Sequence, residues 1–161
     1  MADSQQIETL VDQLNGEAEQ RAAAAEALAQ LGAGCHAACV PLVRACGTDE
    51  MTREWATAAL EEIGAPLVDT IPDLIRLVDN DSPNVAYWAI TLLGRSEESA
   101  EQACDSLAKL ICSDRDLSLR ERAVWAVAKI GHQSPTLLDA LKTASQSNHE
   151  RLARLASGAF A

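Results

Sequence analysis

Four segments of this chain repeat one pattern: QRAAAAEALAQLG at 20–32, TREWATAALEEIG at 52–64, NVAYWAITLLG at 84–94 and LRERAVWAVAKIG at 119–131. A poorer fifth copy, HERLARLASGAF, occupies 149–160. In the first, second and fourth copies Arg21, Arg53 or Arg120 is followed three residues on by Ala24, Ala56 or Ala123. Three further come Ala27, Ala59 or Ala126, each followed at once by Leu28, Leu60 or Val127. Leu31, Ile63 or Ile130 then precedes a glycine. Apolar residues at i, i+3, i+4 and i+7 share one helix face. The alanines let a second helix lie close, and Gly32, Gly64 and Gly131 suit the position just past a helix C-terminus. A fixed period of this kind specifies stacked repeats before any other feature is considered.

Shorter amphipathic segments alternate with these: IETLVDQL, CVPLVRAC, TIPDLIRLV, ACDSLAKLI and TLLDALKTA. Polar turns such as GTDEM and DNDSPN lead from them into the Ala-rich helices. The unit is helix, turn, helix, and one such pair cannot bury its own apolar faces. The third copy can be phased in two ways. Taking Gly94 as its closing glycine gives spacings of 32, 30 and 37; matching Val85 to Thr52 and Leu119 gives 32, 33 and 34. The second is preferred, because NDSPNV then falls where the other units turn. The expectation is an all-α chain forming a single repeat domain, 1–161, with repeats near 4–32, 33–64, 65–96, 97–131 and 132–161. An aromatic content of only 3% agrees, since sandwiches and barrels draw on aromatic and β-branched residues.

Pro41 and Pro72 in first helices, an acidic turn, then Arg-x-x-Ala-x-x-Ala-Leu and Gly make a unit that resembles a HEAT repeat. It is most similar to the short bacterial HEAT-like repeats also found in phycobilin lyase subunits. The resemblance implies a right-handed α-solenoid of about five repeats, first helices on the convex side and second helices lining the concave one. The chain departs from the pattern where Ala86 or Pro83 stands in place of the third Arg and Glu150 in place of the fifth.

The net charge of −11 argues against nucleic acid and anionic membranes as partners. Acid is concentrated early: residues 1–113 hold 6 Lys/Arg against 19 Asp/Glu, and residues 114–161 hold 7 against 5. MADSQQIETL has no basic flank or apolar core of a signal peptide, and no apolar run approaches the roughly 18 residues of a membrane span. The expected location is the cytoplasm, where the five cysteines should stay reduced.

Chemistry-bearing motifs are sparse. Nucleotide-binding, nucleophile-elbow and HExxH signatures do not occur. His149-Glu150 is a single pair, whereas the HEAT-like diiron hydroxylases use several such pairs on successive repeats. GCHAACVPLVRAC gathers Cys35, Cys39 and Cys46, which fall on one helical stripe, with His36 turned about 100° away. Val43 and Cys46 align with Leu74 and Leu77 of the next unit, so the stripe reads as core packing, with Pro41 a point where the helix starts or kinks. No catalytic residue, metal or cofactor is expected, and the chain is read as a non-enzyme, apart from a lyase-type activity that the resemblance leaves open.

All three tryptophans lie on second helices. Turning 100° per residue places Trp125 about 150° and Trp55 roughly 90° from the core centre, and Trp88 at one of these positions. Trp55, Tyr87, Trp88 and Trp125 are therefore the candidate partner-binding surface, an aromatic ridge on repeats two to four. The expected function is a non-catalytic scaffold or adaptor that binds a protein or peptide there, on the concave surface of the second helices. The alternative is a bilin- or tetrapyrrole-handling protein, a lyase subunit or chaperone, which the resemblance implies. Leu152, Leu155 and Phe160 in the last repeat mark a face for weak self-association.

Overall fold

Five helices begin after Glu17, Asp49, Ser82, Asp116 and His149, N-cap positions 32, 33, 34 and 33 residues apart, in a computed structural model that describes residues 4–160. They alternate with five others, giving ten α-helices among the described residues. Fifteen residues after four of the N-caps stand Gly32, Gly64, Glu97 and Gly131, and all four have positive φ, between 49° and 73°. The preferred phase of the third repeat is the observed one. Glu97 occupies the left-handed site that glycine fills elsewhere, which is why the sequence offered Gly94 as a false stop.

The chain divides into two compact units, residues 1–70 and 71–161. In the first, α1 (Ser4–Gln13) packs on α2 (Ala18–Gln30), and α2 runs along α4 (Glu50–Ile63). A 3₁₀ segment, Gly32–Ala38, precedes α3 (Cys39–Ala45), which packs on α4. Asp49 starts α4: its carboxylate accepts from Thr52 N and Thr52 Oγ1 at 3.0 and 2.8 Å. It also accepts from Arg21 of α2 at 3.0 Å, while Arg21 donates to Gly16 O at 2.8 Å. The repeat arginine thus ties one turn to the next. Gly64, with φ 71°, ends the helix where a side chain would be strained.

The second unit has two layers. Helices α6 (Pro83–Arg95), α8 (Leu117–Ile130) and α10 (Glu150–Ala159) lie side by side in one. Behind them are α5 (Ile71–Leu77), α7 (Cys104–Cys112) and α9 (Pro135–Ser145), each against its own partner. Pro83 and Pro135 sit at helix starts, where no amide hydrogen bond is lost. Arg120, the repeat arginine here, donates through Nε to Ile111 O at 2.9 Å. The corresponding fifth position, four residues after the His149 N-cap, is Ala153 and not Glu150.

The repeat face is the core. Ala56, Ala59 and Leu60 are fully buried, as are Ala123 and Ala126 with Val127 and Ile130 nearly so. Ala27 and Leu31 of the first copy are only half-buried. Leu152 of α10 is buried, which corrects its expected exposure; Leu155 is half-buried and Phe160 exposed.

The cysteine stretch departs from one continuous helix. Residues 32–38 are 3₁₀, with non-helical torsions at Cys35, and the α-helix starts at Cys39. Cys35 and Cys39 therefore do not stand one α-turn apart on a shared stripe. Their burial nevertheless holds: Cys35, Cys39 and Cys46 are all inaccessible, and Cys35 Sγ donates to Gly32 O at 3.0 Å. Burial pushes the Cys46 thiol up to about 11, against the smaller opposing effects of Thr57 and Arg53. A protonated, enclosed thiol packs as a small apolar group.

Candidate functional site

Relative to the N-caps, the candidate side chains of the second helices fall at two recurring places. The sixth residue after each N-cap is Ala23, Trp55, Trp88, Arg122 or Leu155. The ninth is Trp125 in the fourth repeat and Thr91 in the third. Trp55 belongs to the first unit; Tyr87, Trp88 and Trp125 belong to the second.

In the first unit, half-buried Trp55 forms one wall of a cleft of about 410 Å³ between α2 and α4. Ala18, Ala22 and Ala23 of α2 contribute methyl groups to its floor. Met51, 55% exposed, stands at its mouth, and Glu19, Glu26 and Asp49 complete the lining.

In the second unit the aromatic residues are organised by an arginine. The Arg122 guanidinium lies 4.6 Å from the Tyr87 ring centre and 4.8 Å from that of Trp125, and it donates to the Tyr87 hydroxyl. Trp125 in turn rests on Gly94 of α6, where a β-carbon would come within 2.4 Å of its ring. Gly94 is therefore a packing glycine inside α6. Tyr87, Arg122 and Trp125 line a cleft of about 320 Å³ with Ser118, Glu121, Arg151 and Leu155. Arg151 and Glu121 pair across it at 3.3 Å. A cation held between two rings is fixed at the cost of little side-chain freedom, so this surface is ordered before any partner arrives.

Trp88 is the correction. It is only 8% exposed, its ring meets Tyr87 edge-on at 6.2 Å, and the Arg95 guanidinium covers it at 5.6 Å. It shares its register with Trp55 but is enclosed by long neighbours, where Trp55 looks out over alanines. Helical angle alone could not separate the two. The sequence reading also missed Arg122, whose register is that of Trp55 and Trp88, and Met51.

A third cleft, about 470 Å³, is lined by Glu98, Glu101, Gln102, Cys104, Asp105 and His132 among others. Glu101 and His132 approach to 3.3 Å. Burial first, then the Asp105 and Glu101 carboxylates, push the Cys104 thiol up to about 11, which makes it a poor nucleophile. Among the described residues no group of three or more His, Cys, Asp or Glu is disposed to hold a metal ion.

Each unit, taken by itself, is a set of helix pairs whose second helices present their outer face, the architecture of an α-helical repeat protein. The HEAT-repeat family pattern matches residues 71–159, more than half of the chain, and the chain belongs to that family. Among solved structures it is similar to an engineered protein from the Northeast Structural Genomics Consortium, at 21% identity and TM-score 0.62, over 95% of this chain and 77% of that one. A second engineered protein from the same consortium matches at 20% identity and TM-score 0.62, over 96% of this chain and 46% of that one. A designed armadillo repeat protein matches at 22% identity and TM-score 0.60, over 95% and 80%. At these identities the likeness shows the fold, an all-α solenoid of HEAT-like repeats. No curated protein matches the sequence. Among the described residues no helix is long and apolar enough to cross a membrane.

Proposed function

We propose that this HEAT-repeat chain is a non-catalytic scaffold that binds a protein or peptide on the concave surface lined by its second helices. The observation that carries the reading is the pair of aromatic clefts: Trp55 over the alanines of α2, and Trp125 beside the Arg122–Tyr87 stack. Half-buried tryptophan next to ordered arginine and tyrosine is the composition of binding hot spots. The proposed surface is thus Trp55, Tyr87, Arg122 and Trp125, with Trp88 as a support beneath it. The five repeats with the boundaries given above are its proposed framework.

Affinity capture from a cell lysate tests this. Trp55→Ala and Trp125→Ala, each folded by circular dichroism, should weaken retention of captured proteins by about tenfold or more. Retention unchanged in the double variant would remove these clefts from the function. The tetrapyrrole alternative rests on the repeat type alone, and titrating a free bilin while watching its absorbance tests it separately.

A further inference from the structure

The Trp55 cleft combines an apolar interior with a rim of one charge sign. Ala18, Ala22, Ala23 and Trp55 supply the interior, with Met51 at the mouth and Glu19, Glu26 and Asp49 at the rim. No lysine or arginine lines it. Nearby Arg21 is already committed to Gly16 O and Asp49, so it does not neutralise Glu19 or Glu26. The surroundings reinforce the sign: residues 1–70 hold 3 Lys/Arg against 12 Asp/Glu, and Glu17, Glu50 and Glu54 are exposed on the same two helices or at their starts.

We propose that this cleft docks a basic amphipathic peptide segment, with Lys or Arg on either side of an apolar residue. The inference rests on the binding-scaffold reading and names the partner's chemistry. The apolar side chain lies on Trp55 and the α2 alanines, beside Met51, a flexible side chain that adapts to differently shaped occupants. The flanking cations meet Glu19 and Glu26. Carboxylates converging on an apolar cleft raise the local concentration of such a segment and reject an acidic one. A second copy of the chain is disfavoured as occupant, because its own net charge is −11.

The test is fluorescence anisotropy with three labelled peptides of equal length, sharing a Leu/Phe core and flanked by Lys/Arg, by Gln or by Glu. The basic peptide should bind tightest, and its affinity should fall as salt rises. Glu19→Gln with Glu26→Gln should weaken it by roughly tenfold and flatten that salt dependence. Trp55→Ala should weaken it further. Ala23→Lys, at an exposed helix position that tolerates lysine, should abolish it with the fold intact, so a poorly folded Trp55 variant does not leave the matter open. Leu138→Ala, at an exposed position of α9 that lines neither aromatic cleft, should leave it unchanged. Equal binding of basic and Gln peptides, or indifference to Ala23→Lys, overturns the inference. If lysate capture still depends on Trp55 or Trp125, the scaffold reading survives that result; if it does not, both fall.

Discussion

Replacing Gly94 by alanine isolates the contact on which the α6–α8 pair is built. A β-carbon at Gly94 would lie 2.4 Å from Trp125 Cζ3, 3.0 Å from Cε3 and 3.0 Å from the Ala126 Cα. The ring can swing outward only by leaving Arg122, and Ala126 is backbone, so α8 itself must shift by a few tenths of an ångström. Overpacking of this kind costs about 1–3 kcal/mol. Against it stands the better helix propensity of alanine, worth up to about 1 kcal/mol. The expected net loss is about 1–2 kcal/mol, a fall in Tm of roughly 3–6 °C for a chain of this size. Urea unfolding followed by circular dichroism measures it directly. In a Trp125→Ala background the two ring contacts are gone while the Ala126 contact stays, so the same substitution should cost clearly less. A Gly94→Ala protein as stable as the parent, or an equal loss in both backgrounds, would refute the close approach of the two helices at this point.

Three further outcomes are expected. Glu97→Gly should stabilise the protein by about 1 kcal/mol, because Glu97 holds a φ of 49° that glycine adopts freely; a lower urea midpoint would contradict this. Hydrogen bonds from the Thr52 amide and hydroxyl, with a smaller contribution from Arg21, hold Asp49 down from the ordinary 3.8 to about 2. Because the folded state lowers this pKa, its stabilisation is complete above about pH 4 and is lost as pH falls toward 2. Being a third exposed, it is worth about 1 kcal/mol after screening, and Asp49→Asn should flatten that part of an acid-unfolding curve. Trp88→Ala should cost about 3–5 kcal/mol, the loss typical of a buried ring, and thermal melts that left its stability unchanged would return Trp88 to the surface.

The sequence by itself determined the helices, their period and the face each buries. The alanine-leucine spacing is local: at 100° per residue it puts Ala56, Ala59, Leu60 and Ile63 on one side, whatever they pack against, and all four are buried. The left-handed stops at Gly32, Gly64 and Gly131 were legible for the same reason, since only glycine takes that conformation without cost. Glu97 was hidden because a residue that does not prefer this conformation carries no sign of it in the sequence. Tertiary structure alone decided how far each aromatic side chain is exposed. Trp55 and Trp88 share a register, yet the short side chains of α2 leave one open while Tyr87 and Arg95 enclose the other. Arg122 became part of the site only when α6 brought Tyr87 within reach of α8, a contact across 35 residues. Periodicity fixes direction around a helix, whereas exposure depends on the size of side chains that arrive from elsewhere.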